Sequence, residues 1–195
     1  SESCLRVLHV NENGGGLDWI TPNVGKAATE AGLFGVKNAH LEGIALFGPR
    51  RILLAVEREP RGLIEVSWEE GADEDEPQIK AWATDETMLT LPEPRAVDFA
   101  DLHLDGGGLY ALVRNADAVV PIEWSEGHLE ELDEWSFRHV VEDSAYAYSN
   151  QTFGKAEGLA MDDERVYIVL DNNGQARLAD DTDTRSQLLI FTRPD

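Results

Sequence analysis

The sequence predicts an all-β chain, a β-propeller of four-stranded blades with three repeats visible, and three observations carry that prediction. The first is a repeated strand start. Leu41-Glu42-Gly43-Ile44-Ala45-Leu46 returns as Ala156-Glu157-Gly158-Leu159-Ala160-Met161, and Val97-Asp98-Phe99-Ala100-Asp101-Leu102 between them keeps the acid and loses the glycine. The second is a short turn after each copy, leading into an apolar, often β-branched run over residues 51–56, 108–113 and 165–170. The polar residues that end these runs, Glu57, Arg114 and Asp171, are spaced 57 residues apart. The third is an outer pair of short strands, 64–68 and 79–83 in the first unit, 121–125 and 134–138 in the second. A fixed long period marks a repeat architecture, and four antiparallel strands per unit without helical spacing fit a propeller blade. A β-sandwich would not hold so constant a register.

Element by element, the blades fall near residues 41–85, 97–140 and 156–193 of a single propeller part-domain over residues 1–195. Gly, Pro, Asp and Glu fill the turns between strands. Gly106-Gly107-Gly108 reads as the hairpin between the first two strands of the middle blade. The last blade has a third strand at 186–192 and no fourth. The strand at residues 4–11, ahead of the Gly14-Gly15-Gly16 break, is expected to complete it, from the same chain or a second copy. Propellers typically need about 4–8 blades to close. The sequence therefore predicts a homodimer completing a six-bladed ring, or a fragment of a longer chain. Trp68, Trp82, Trp124 and Trp135 recur at matched strand positions and are expected to pack between blades.

Composition narrows the function. Acidic residues number 38 against 16 basic ones, a net charge of −22. Such a surface repels phosphate backbones, and no basic patch with interleaved aromatics occurs, which argues against nucleic-acid binding. No stretch approaches the ~20 apolar residues of a membrane helix. The acid excess fits either a salty medium or a fold that collects cations, while Asp73-Glu74-Asp75-Glu76 reads as a solvated turn. Cys4 is the single cysteine, so no intrachain disulfide forms. Ser1-Glu2-Ser3 ahead of it lacks a small, apolar lipidation box, so a free thiol is expected. No signal peptide is read at the start, so export would require its prior removal. The five histidines show no zinc spacing, and no nucleophile elbow or Walker loop occurs. Asp180-Asp181-Thr182-Asp183 lacks the spacing of an EF-hand. The loop from Asn172 to Arg185 is long enough to fold over a channel mouth.

The repeat phase nominates a site. In antiparallel neighbours, the start of a blade's first strand and the end of its second share one edge of the sheet. That pairs Glu42 with Glu57, Asp98 with Arg114 and Glu157 with Asp171, all at one mouth of the channel. Five carboxylates so close must bind a cation, pair with Arg or Lys, or retain a proton. Hard oxygen ligands suit Ca²⁺ or Mg²⁺, with Glu42, Glu57, Asp98, Glu157 and Asp171 as the candidate ligands. Arg58, Arg61 and Arg114 are the candidates for the pairing alternative, in which the acids only brace neighbouring blades. Bracing, metal binding and catalysis all stay open at this point.

Asn38-Ala39-His40-Leu41-Glu42-Gly43-Ile44-Ala45, Leu53-Leu54-Ala55-Val56-Glu57-Arg58, Ala156-Glu157-Gly158-Leu159-Ala160 and Leu170-Asp171-Asn172-Asn173 together resemble the bacterial phytase-like propeller family, often labelled "esterase-like activity of phytase". The closing Leu189-Ile190-Phe191-Thr192-Arg193-Pro194 is similar to that family's C-terminal end, so the resemblance covers about residues 36–195. It implies an exported protein, periplasmic or extracellular, with phosphoesterase-like or esterase activity on a small ester or phosphoester. Carried over by position, Glu42, Glu57, Glu157 and Asp171 match the family's acidic pattern, and Asp98 matches loosely because Phe99 replaces the glycine. The chain departs from the family in lacking the N-terminal blades and in the sparseness of basic residues that hold a multiply charged phosphate. Two functions are consistent with these features. One is a divalent-cation-dependent hydrolase in which Glu157 or Asp171 orients or deprotonates the attacking water and Arg58 and Arg114 hold the substrate. The other is a non-catalytic propeller binding a ligand or protein partner at its mouth.

Overall fold

Runs that alternate apolar and polar residues, or stay apolar where both faces are covered, form every principal strand of this chain, and the fold is all-β with antiparallel sheets. The computed structural model describes residues 5–10, 17–70, 77–125 and 128–194. Cys4 and the acidic turn 73–76 lie outside the described residues.

The chain opens on a hairpin of β1 (Leu8–Val10) and β2 (Leu17–Trp19), with Leu8 opposite Trp19, and continues into the short helix α1 (Gly25–Glu30). The strand expected to complete the third unit thus pairs with its sequence neighbour within this chain. A short loop costs far less closure entropy than reaching the far end. Side chains fix the segment: Thr21 Oγ1 accepts from the Val7 N–H at 2.9 Å, and Asn23 Oδ1 from the Leu5 N–H at 3.0 Å.

The first sheet runs β3 (Leu41–Leu46), β4 (Arg51–Val56), β5 (Gly62–Ser67) and β6 (Gln78–Ala83), in that spatial order. The second holds β7 (Asp101–Asp105), β8 (Gly108–Val113), β9 (Ala118–Ser125) and β10 (His128–Glu131), with β11 (Trp135–Ser136) also along β9, followed by helix α2 (Arg138–Val141). The outer strand expected at 134–138 is therefore split in two along β9. Gly106 and Gly107 take φ of +55° and +88° in the β7–β8 hairpin, the conformation that favours glycine in a two-residue turn. The third sheet is β12 (Ala156–Met161), β13 (Arg165–Leu170) and β14 (Gln187–Thr192).

The sheets stack, with β7 lying against both β3 and β12. Leu53, Ala55 and Leu63 of the first sheet pack on Leu102, Leu109 and Val113 of the second. On the second sheet's other face, Leu112 and Val119 pack on Leu159, Ile168 and Leu170 of the third. The first sheet's opposite face is covered too, by Leu5, Val7, Val24, Ala28 and Leu33 against Ile52, Leu54, Val56 and Ile64. Covered on both sides, β4 is apolar almost throughout. β13 is covered on one side only, and Val169 is 47% exposed. The long segment 172–185 links β13 to β14. It runs beside 147–149, where the Leu178 N–H donates to the Ala147 carbonyl at 2.8 Å and Tyr148 bridges Arg177.

Register separates the middle copy from its neighbours. Gly43 faces Ala55, Gly158 faces Val169, and Asp101 faces Leu112. Asp101, not Asp98, therefore stands at the repeat's glycine position. Asp98 precedes β7 by three residues. Both outer copies carry a bulge at the acid, between Leu41 and Gly43 and between Ala156 and Gly158.

Candidate functional site

The strand ends do bring the acids together. β4 runs out into Glu57, whose N–H donates to the His40 carbonyl at 2.8 Å, and β13 runs out into Asp171, whose N–H donates to the Lys155 carbonyl at 2.8 Å. β8 ends instead in a 3-10 turn, Arg114–Ala116, which lifts the Arg114 side chain into the space between sheets. The bulges re-aim Glu42 and Glu157 toward the same edge, the usual effect of an extra residue in one strand.

Arg114 is the centre of the cluster. Its Nε donates to Asp98 Oδ2 at 3.0 Å, its Nη1 to Glu157 Oε1 and Oε2 at 2.9 and 3.1 Å, and its Nη2 to Glu57 Oε1. One guanidinium thereby ties the first sheet, the approach to the second, and the third. Arg58 Nη1 also pairs with Glu57 Oε1. Asp98 is fully buried and Glu57 is 3% exposed. Asp98 Oδ1 accepts a second bond from the Asn115 N–H at 2.9 Å. Planar, five-donor arginine suits such a fork better than lysine would.

Electrostatics follow from burial. Burial opposes the charge on Arg114, but Asp98 and Glu157 outweigh it and its pKa is raised. Burial pushes the Asp98 carboxyl up, against the pull of Arg114 and the Asn115 N–H. Glu42 stands beside the cluster, and its pKa is raised by burial and then by the charge of Glu157. Burial lowers Lys155, with Asp171 and Glu157 opposing. Asp171 turns onto its own loop, accepting the Asn173 N–H at 3.1 Å.

Of the residues the sequence nominated, then, Glu57, Asp98, Glu157, Arg58 and Arg114 meet in one network, Glu42 flanks it, and Asp171 lies beside Lys155. Of the carboxylates nominated to hold Ca²⁺ or Mg²⁺, Glu57, Asp98 and Glu157 direct oxygens at Arg114. Among the described residues, no group of three or more His, Cys, Asp or Glu side chains is arranged to hold a metal ion. The donor set of Glu57, Asp98 and Glu157 does not fit a divalent cation while Arg114 occupies its centre. Arg61, the third candidate cation, is buried elsewhere, with its guanidinium 4.4 Å over the Phe99 ring and paired to Glu131 at 2.5 Å. The turn at 180–183 is closed by Asp180 Oδ1, which accepts from the Thr182 N–H and hydroxyl at 2.9 and 2.7 Å.

Three supporting residues escaped the sequence reading. Asp101 Oδ2 accepts the Leu159 N–H at 2.8 Å and anchors the bulge that carries Glu157. Asn115 bonds the Ala96 carbonyl at 2.9 Å and receives the Gly154 N–H at 3.2 Å. Gly154 itself lies so close to the Arg114 carbonyl that a Cβ would sit 2.0 Å from its oxygen. Sequence alignment of the repeats put Phe99 at the glycine position and so passed over Asp101, and nothing in the spacing marked Asn115 or Gly154. Comparison of the chain with family models, with curated proteins and with solved structures returned no match.

Proposed function

We propose that the chain is an arc of a β-propeller, with its sheets as blades, and that it is a non-catalytic module binding a polar ligand or protein partner at its mouth. The carrying observation is the engagement of Glu57, Asp98 and Glu157 by the single guanidinium of Arg114. Acids held this way brace blades against each other. Their oxygens are turned to guanidinium and backbone donors, not to a substrate's water or a metal. Around the brace, Glu42, Arg58, Lys155 and Asp171 present both signs of charge, the surface expected of a polar binding site.

A second reading, divalent-cation-dependent hydrolysis of esters or phosphoesters, rests on the resemblance to phytase-like propellers and on Glu42. A carboxyl raised by its surroundings is a candidate for proton exchange. One experiment separates the readings: p-nitrophenyl phosphate, its bis-ester and short acyl esters assayed with Ca²⁺ and with Na⁺ at matched ionic strength. The binding reading expects no metal-dependent turnover and equal thermal responses to the two salts. Turnover that needs Ca²⁺ and is lost in Glu157→Gln would establish the hydrolase. A stabilisation specific to Ca²⁺, about 2.7 kcal/mol at a hundredfold excess over its Kd, would establish a cation site, with turnover left to the ester assays.

For assembly, we infer a homodimer that meets through the third sheet. Val169, Leu188 and Ile190 leave an apolar stripe on its outward face. A six-bladed ring would also need the first sheet's outer face, which Leu5, Val7, Val24, Ala28 and Leu33 of the same chain cover. Continuation of the repeat in a longer chain would use the same stripe.

A further inference from the structure

We propose that the groove between β6 and β10, on the outer rim and away from the mouth, docks a peptide segment that is both basic and apolar. Its walls come from different sheets. Trp82 of β6 and Trp124 of β9 meet edge to face, with ring centroids 4.7 Å apart and planes at 74°. Leu129 of β10 lies beside them, and Met88, on the segment crossing from the first sheet to the second, is 88% exposed at the rim. The groove is open to solvent and has a volume of about 830 Å³, within the ~300–1,000 Å³ of ordinary ligand sites.

The groove is preformed. Glu131, its side chain almost wholly buried beneath the groove, accepts from Arg61 Nη2 at 2.5 Å, from the Thr87 hydroxyl at 2.7 Å and from the Met88 N–H at 3.0 Å. These bonds fix the crossing segment against β10. They also neutralise Glu131 internally, so the charge offered to a partner comes from Asp85, Glu86 and Glu130. All three are exposed at the rim, and none has an ion-pair partner among the described residues.

The occupant follows from this chemistry. Tryptophan faces and a flexible methionine favour apolar side chains and cations, and aromatic anchors concentrate binding energy in protein interfaces. Three unpaired acids at the rim, on a chain of net charge −22, select lysine or arginine and steer such a partner inward. A segment that alternates basic and aliphatic residues would place one kind on the rim and the other against the indoles. This proposal does not depend on what the mouth binds.

The test titrates the intact chain with a short peptide alternating lysine and leucine, in about 0.15 M salt, by calorimetry and tryptophan emission. A lysine–glycine peptide and a glutamate–leucine peptide serve as comparators. The lysine–leucine peptide is expected to bind and shift the emission, with both comparators at least about tenfold weaker. Glu86→Lys with Glu130→Lys is expected to weaken it about tenfold or more at unchanged melting temperature. Glu30→Lys with Glu70→Lys, the same charge change away from the groove, is expected to leave it intact. Absence of binding, equal binding of the lysine–glycine peptide, or equal loss in the two double variants would overturn the proposal, the last two by showing diffuse attraction to an acidic surface.

Discussion

A buried charge that loses its partner costs more than the pair contributes, and Arg114 partners three acids at once. Replacing it with methionine leaves Asp98 buried without its ion-pair partner and Glu57 with Arg58 alone. The expected loss is about 3–5 kcal/mol, read as a lower urea midpoint at unchanged slope. Glu42 should behave in the opposite sense. Its folded-state pKa is raised by burial and Glu157, so the folded protein disfavours its charge, and this penalty is present above the folded pKa. Glu42→Gln is therefore expected to stabilise the protein at pH 7, by about 0.5 kcal/mol after solvent screening. The gain should vanish as pH falls through the raised value to the ordinary glutamate range, where both states bind the proton. Melting curves of the two proteins at pH 7 and pH 4 check it. Much of this residue-level picture was legible, because strand direction and repeat phase decide which ends share an edge. What the spacing could not show is where each carboxylate points. Bracing, metal and catalysis would look alike until Arg114 was seen filling the centre. The offset of Asp98 was hidden for a different reason: register is set by bonds such as the Ala100 N–H to the Leu112 carbonyl, and the two residues between Asp98 and β7, Phe99 and Ala100, shift the acid without disturbing the apolar pattern.

At the scale of elements, equivalent positions in the repeat meet unequal fates. Leu112 and Val169 both face the position of the next sheet, yet Leu112 is fully buried and Val169 is 47% exposed. Leu112→Ala is expected to cost about 2–5 kcal/mol through lost burial and a cavity. Val169→Ala, at an open site, should fall within about 0.5 kcal/mol of wild type while the chain is monomeric. Equilibrium unfolding of the two variants in dilute solution makes the comparison. The principal strands themselves were readable from apolar runs and turn residues. The pairing of β1 with β2 was not, since a lone apolar strand carries no label for its partner, and local closure decided it. The split of the outer strand into β10 and β11 likewise follows from Leu132-Asp133-Glu134, a polar interruption that pattern alone reads as a turn.

For the whole molecule, a net charge of −22 opposes association, and an apolar stripe on the third sheet favours it. Ile190→Glu is expected to convert a dimer into a monomer, with light scattering at micromolar concentration as the readout and added salt strengthening the wild-type dimer. A wild type that stays monomeric in high salt would remove the stripe as an interface. The cover that Leu5, Val7, Val24, Ala28 and Leu33 place over the first sheet also fixes how such association must stop. A stack with two adhesive ends could add copies head to tail, the arrangement that grows filaments when the rotation fails to close. With one end sealed by the chain's own residues, growth has no second site from which to continue, and the polymer ends at a pair.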